Sequence, residues 1–231
     1  MKRIGCLVAI LLFSLPLFAE NTSVHAFHFS FPIEASTFEA KKSHSRKYFD
    51  FGDTVDEKSF GAFINWNKLI VKESRLSFVF GVGAGFMAMK VPDISSDFFI
   101  GGLVNAVSGK FGVGFAPLKT EKYLLAVHGF SELKGGVLDC DASSYLETVS
   151  DELHYTVTEV ALTSGLDGVF IVKLGERLSL FSGLDISTVI FGGGSLGVSR
   201  DGSHSDSDEL TYRHSFSNIA VVPRIGLCFG F

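Results

Sequence analysis

From Arg75 to Ala88 the sequence reads RLSFVFGVGAGFMA. Its even positions, from Leu76, Phe78 and Phe80 through Val82 and Ala84 to Phe86 and Ala88, are all apolar, while Ser77, Gly81, Gly83 and Gly85 lie between them. A period of two belongs to the β-strand, whose successive side chains leave on opposite faces. The pattern returns in RLSLFSGLDISTVI, where Leu178, Leu180, Leu184, Ile186 and Ile190 share a face against Ser179, Gly183, Asp185 and Ser187. It returns again where Ile219, Val221, Ile225, Leu227, Phe229 and Phe231 oppose Asn218, Arg224 and Gly226. One face of each run is bulky and the other is small or polar.

Runs of this kind predict eight strands, over residues 24–36, 58–68, 74–90, 98–116, 122–138, 153–173, 177–192 and 214–231. The connections after the second, fourth and sixth are brief. Those after the first, third, fifth and seventh, at residues 37–57, 91–97, 139–152 and 193–213, are longer or more polar. An even strand number with alternating long and short connections predicts an all-β, eight-stranded antiparallel up-and-down transmembrane β-barrel. Its fourth strand has the weakest register: Phe98, Ile100 and Val104 favour one face and Phe111, Val113 and Phe115 the other, so a bulge is expected near Gly109.

The alternative is a soluble barrel with its apolar face turned inward around a ligand. Charge placement decides between them. With the bulky residues outward, the interior receives Glu34, Lys110, His128, Glu132, Glu159, Asp167, Asp185 and Arg224. A charge on the lipid side costs about 2–4 kcal/mol at the bilayer midplane, so this set belongs inside. Turned the other way, the outer face would be rich in glycine and poor in Lys and Glu, unfit for water. A composition of 24 Phe and 25 Gly with 19% charged residues agrees with the membrane arrangement.

The opening MKRIGCLVAILLFSLPLFAE has two basic residues, an apolar run from Ile4 to Phe18 and a small residue at Ala19, which is the order of a secretory signal peptide. Cleavage is expected after Ala19, with Ala26 as the alternative, leaving residues 20–231 as the barrel. Loss of Lys2 and Arg3 takes the formal net charge from -5 to -7. That acidity disfavours a nucleic-acid partner. Cys140 and Cys228 are then the only cysteines, at opposite ends of the barrel and not expected to bond.

The ending IAVVPRIGLCFGF, apolar at alternate positions and closing on Phe231, resembles the signature by which outer-membrane barrels are handled by the barrel-assembly machinery. Residues 24–231 as a whole resemble the small eight-stranded barrels of the OmpX, OmpA and OmpW kind, and the short barrels of spirochaetes such as treponemes. The resemblance implies a bacterial outer-membrane protein whose assembly signal is Phe229 and Phe231, with outer-membrane lipid and the assembly machinery as partners. It implies no cofactor and no catalysis. An OmpW-like channel for small apolar molecules is the alternative, and a lipid A-modifying barrel enzyme a remote one.

Four candidate sites follow. Within the lumen, Arg224 is expected to pair with Glu159, Asp167 or Asp185 in a polar network that plugs a narrow barrel. Residues 200–209, RDGSHSDSDE, gather hard oxygen ligands but lack the spacing of an EF-hand loop, so they are read as a solvated surface loop without metal. Loops 37–57 and 193–213 are the expected contact for a host or other extracellular ligand, Tyr48, Phe49 and Phe51 being read first as interface aromatics. His28-Phe29-Ser30 is the one His-x-Ser triplet, as a deacylase would need, but no carboxylate is spaced to complete a triad.

Overall fold

The computed structural model describes residues 22–41, 54–90, 102–141, 153–200, 207–214 and 218–231, and the predicted signal peptide of residues 1–19 lies outside them. Ten strands are present, and no helix occurs among the described residues. They are β1 (Thr22–Ser30), β2 (Ile33–Lys41), β3 (Thr54–Val71), β4 (Leu76–Lys90) and β5 (Gly102–Lys119), followed by β6 (Tyr123–Asp141), β7 (Leu153–Lys173), β8 (Ser179–Arg200), β9 (Ser207–His214) and β10 (Ile219–Phe229). All pairings are antiparallel: β2 to β9 pair in chain order, β1 also pairs with β3 and β10 with β8, and β10 and β9 return to β1 and β2.

The ten segments make eight staves. β1 and β2 lie end to end along β3, and β9 and β10 lie end to end along β8, so each pair is one interrupted strand of an eight-stranded closed barrel. Proline causes the first interruption. Pro32 and Pro223 sit at adjacent steps of the closing seam, and neither has an N–H to give to a ladder. Across the seam Phe31 N–H donates to the Pro223 carbonyl at 3.0 Å, and on the other side Gly61 N–H of β3 donates to the Pro32 carbonyl at 3.0 Å. Closure leaves no free edge for another chain to pair with.

Three short turns close one end. In the first, Arg75 takes a left-handed backbone (φ 65°), with its N–H bonded to the Lys72 carbonyl at 2.9 Å. In the second, Thr120 Oγ1 accepts the Tyr123 N–H at 2.9 Å. The described strand ends that flank the four longer connections lie at the other end, as loop alternation predicts.

Face assignment follows parity nearly everywhere. Leu166, Ile64, Val107, Ile33, Ile219 and Ile225 are more than half exposed on the outside. Asp167 beside Leu166, Arg224 beside Ile225, and Asp185 between outward Leu184 and Ile186 are buried. Trp66 and Tyr123 lie on the outside near the short-turn end, where amphipathic rings suit a membrane interface.

Three expectations are corrected. No bulge occurs at Gly109, where the pairing of β5 with both neighbours runs unbroken; the shift lies between Phe115 and Leu118, where Pro117 interrupts the ladder. Neither residues 193–213 nor residues 37–57 are wholly loop: β8 continues to Arg200 between β7 and β9, β9 pairs in turn with β2, which runs to Lys41, and β3 begins at Thr54, so much of both stretches extends the barrel wall. Phe231 leaves the outward face: Gly230 adopts φ 88° and Phe231 packs against the buried cluster beneath the barrel. Phe98 and Ile100, on the first part of the predicted fourth strand, fall outside the described residues, and Val104, which lies in β5, has no described side chain.

Candidate functional site

The lumen is the place where chemistry-bearing side chains converge, and it is built in three levels. At the short-turn end the inward positions are apolar. Val24, Ala26, Leu69, Val71, Val79, Leu124, Ile171, Phe181 and Cys228 form a buried cluster that floors the barrel. The inward face was expected to be small, polar or charged throughout. Val79, Leu124, Ile171 and Phe181 were legible by parity, since each is out of step with the outward set of its strand.

Above the floor lies a belt of charge. Reading across the sheet, Ser77 opposes Gly114, Gly114 opposes His128, His128 opposes Asp167, and Asp167 opposes Asp185. These residues therefore stand in one row around the wall, on five successive strands. Gly114 makes the row close: a Cβ there would stand 1.9 Å from the Val127 carbonyl oxygen, so only glycine fits between Ser77 and His128. Lys110 reaches the row from β5, with Nζ 2.7 Å from Asp185 Oδ2 and 3.1 Å from Asp167 Oδ2. Arg224 reaches it from β10, with Nη2 paired to Asp167 Oδ1 and 2.8 Å from Asp185 Oδ1. Two cations thus bridge the same two carboxylates.

Packing holds both cations in place. Lys110 Nζ lies 4.0 Å from the centroid of the Phe130 ring, and the Arg224 guanidinium lies 5.4 Å from that of Phe181. A Cβ on Gly183 would come within 2.7 Å of Arg224 Nη2, so Gly183 gives the guanidinium its room. All four charged groups are buried, and the arrangement satisfies the requirement that buried charges be paired.

A second charged group sits nearer the long-connection end. Lys134 Nζ is 2.7 Å from Glu34 Oε1 and 3.9 Å from Glu132 Oε2. Glu159 lines the same cavity as Lys134 and Glu34, and so belongs here, away from Arg224. Of the three carboxylates proposed for Arg224, the fold therefore supplies Asp167 and Asp185 and assigns Glu159 elsewhere. Lys134 was missed by the sequence reading although its parity matches that of His128 and Glu132.

Two small cavities accompany these groups. One of about 40 Å³ is bounded by Glu34, Lys134, Glu159, Thr163 and Asn218. Another of about 30 Å³ is bounded by His28, Asn65, Asn67, Lys110 and Arg224. Each has room for about two or three water molecules. Among the described residues, side chains fill most of the barrel between and around these cavities, as the bore of eight strands requires.

The hydrolase geometry appears where the sequence reading did not look. Ser77 Oγ lies 2.7 Å from His128 Nε2, and His128 Nδ1 lies 3.8 Å from Asp167 Oδ2. All three residues are fully buried, and neither cavity is bounded by Ser77 or His128. A nucleophile needs a substrate position beside it and an oxyanion site. Asp167 is in turn engaged by Lys110 and Arg224, so the trio is continuous with the belt of charge. In the His28-Phe29-Ser30 triplet, the His28 ring stacks on Phe181 at 4.7 Å and Ser30 Oγ accepts from Asn65 Nδ2 at 2.8 Å.

Of the predicted assembly residues, Phe229 points outward against Phe27, their ring centroids 6.5 Å apart, and Phe231 packs under the floor. Within residues 200–209, Asp208 and Glu209 pair with β8 through their backbones, and Asp201 and Asp206 lie outside the described residues.

No protein-family model and no curated protein matches the sequence. Among solved structures, the translocator domain of the autotransporter NalP from Neisseria meningitidis is similar at 10% identity and a TM-score of 0.27, over 100% of this chain and 95% of that one. A deletion mutant of the monoaromatic hydrocarbon channel TodX is similar at 7% identity and a TM-score of 0.23, over 90% of each chain. The COG4313 outer-membrane channel from Pseudomonas putida F1 is similar at 7% identity and a TM-score of 0.25, over 87% of this chain and 95% of that one. Scores of this size fix no common strand arrangement. The barrel stands on the chain's own pairings.

Proposed function

We propose that the chain is a bacterial outer-membrane β-barrel, exported by a signal peptide cleaved after Ala19, that conducts nothing and catalyses nothing. It acts by presenting the hairpins of its long-connection end to the outside. The observation that carries this reading is the lumen: an apolar floor beneath two carboxylates bridged by two buried cations. Side chains so packed support a rigid scaffold better than a transport path. The apolar outer belt supports the membrane placement, because exposed Ile33, Ile64, Val107 and Leu166 would otherwise face water. Outer-membrane lipid and the barrel-assembly machinery are then its obligatory partners. A host or extracellular ligand would meet residues 37–57 and 193–213.

Planar-bilayer recording of the refolded barrel tests the reading. No discrete conductance steps are expected, and protease added to intact cells should cut within residues 42–53 or 201–206 while sparing the strands. Stable single-channel steps would instead favour the OmpW-like channel.

A further inference from the structure

The three short turns repeat one charge pattern. Lys72, Glu73 and Arg75 occupy the first, Lys119, Glu121 and Lys122 the second, and Lys173, Glu176 and Arg177 the third. Each turn therefore sets two cations beside one carboxylate. With Lys68 on the adjoining wall, the three turns set seven cations against three carboxylates, in a chain whose formal net charge is -5. The rim is basic although the protein is acidic.

Position matters as much as sign. Lys72 Nζ lies 5.6 Å from the centroid of the Phe78 ring, and Lys122 Nζ lies 5.6 Å from that of Tyr123. Phe78 and Tyr123 stand on the outer face, and Tyr123 stacks on outward-facing Phe170 with centroids 6.2 Å apart. Trp66, on the same outer face, stacks on His25 at 5.8 Å. These rings mark where the apolar band gives way to the interface. An ammonium held over an outward ring at that border sits at headgroup height, its stem on the apolar wall. Glu73, Glu121 and Glu176 lie on the exposed side of their turns, whereas Lys72, Lys119 and Lys173 are half-buried against the wall.

We propose that the short-turn rim is a binding surface for anionic phospholipid of the periplasmic leaflet, the Lys ammonium groups pairing with headgroup phosphate. The proposal rests on the membrane reading above. Charge complementarity and height both favour phosphate. A zwitterionic headgroup, which carries its own cation, gains less from a basic rim.

Trp66, the single tryptophan, lies on the wall that carries Lys68 and Lys72, and so reports on the lipid beside it. The barrel is refolded into vesicles containing phosphatidylglycerol or phosphatidylcholine with brominated chains, and quenching of Trp66 is measured against mole fraction. Brominated phosphatidylglycerol should quench with an apparent preference of at least about threefold at low salt, falling towards equality in about 0.5 M salt. The Lys68→Gln/Lys72→Gln variant should lose the preference, and the Lys68→Arg/Lys72→Arg variant should keep it. Equal quenching of the wild-type barrel by both lipids overturns the proposal, as does an unchanged preference in the glutamine variant. Absence of quenching by either lipid would mean that the wall is not in the bilayer, and both readings would fall together.

Discussion

Arg224→Met removes one of the two cations that bridge Asp167 and Asp185 and leaves two buried carboxylates to share Lys110. The 2.8 Å contact between Arg224 Nη2 and Asp185 Oδ1 alone is worth about 6 kcal/mol of gross Coulomb attraction at an effective dielectric constant of about 20. Much of that is offset because the arginine is solvated in the unfolded chain. Breaking one member out of a buried pair costs about 3–5 kcal/mol net, since the remaining charge stays uncompensated. Arg224 is 4% exposed, so little water can enter to screen what is left. The expected loss in unfolding free energy is therefore about 3–5 kcal/mol, read from urea titration of the refolded barrel through Trp66 emission. Asp185→Asn in the same chain restores charge balance around Lys110 and Asp167, which remain 3.1 Å apart. The double variant should recover more than half of the loss, a coupling the mutant cycle measures directly. An Arg224→Met barrel within about 1 kcal/mol of the wild type, or a double variant no more stable than the single one, would refute the reasoning.

Leu184 faces outward at 46% exposure, so Leu184→Arg should cost about 2–4 kcal/mol in lipid while Leu184→Phe is tolerated, as judged by folding yield and heat-modifiable migration. Phe181→Ala should cost about 3–5 kcal/mol by leaving a cavity in the floor and loosening Arg224 and His28, which both stack on that ring. Ser77 should stay unlabelled by a fluorophosphonate in the folded barrel; labelling that is abolished by Ser77→Ala would revive a hydrolase. Cys228 is fully buried, so a maleimide should reach it only after denaturation, and mass analysis of the non-reduced protein should find no bond between Cys140 and Cys228.

The face of most strands was determined by the sequence alone, the fourth predicted strand excepted, because side-chain direction in a strand alternates locally with a period of two. Leu184 out and Asp185 in, Ile225 out and Arg224 in, all needed only their immediate neighbours. Strand number and the alternation of short and long connections were legible for the same reason: turn chemistry such as that of Thr120 is written in a few adjacent residues. Height along the barrel axis is different. It depends on register added up around the closed ring, which no segment specifies by itself. Only the tertiary structure could decide that Arg224 meets Asp167 and Asp185 while Glu159, of the same inward parity as Asp167 and Asp185, stands nearer the other end with Lys134. Curvature of the wall also brought Lys110 to two strands it does not neighbour, cross-strand register set Ser77 against His128 across Gly114, and the backbone at Gly230 turned Phe231 beneath the floor. Parity is a local property of the chain, and a partner across the lumen is a property of the closed ring.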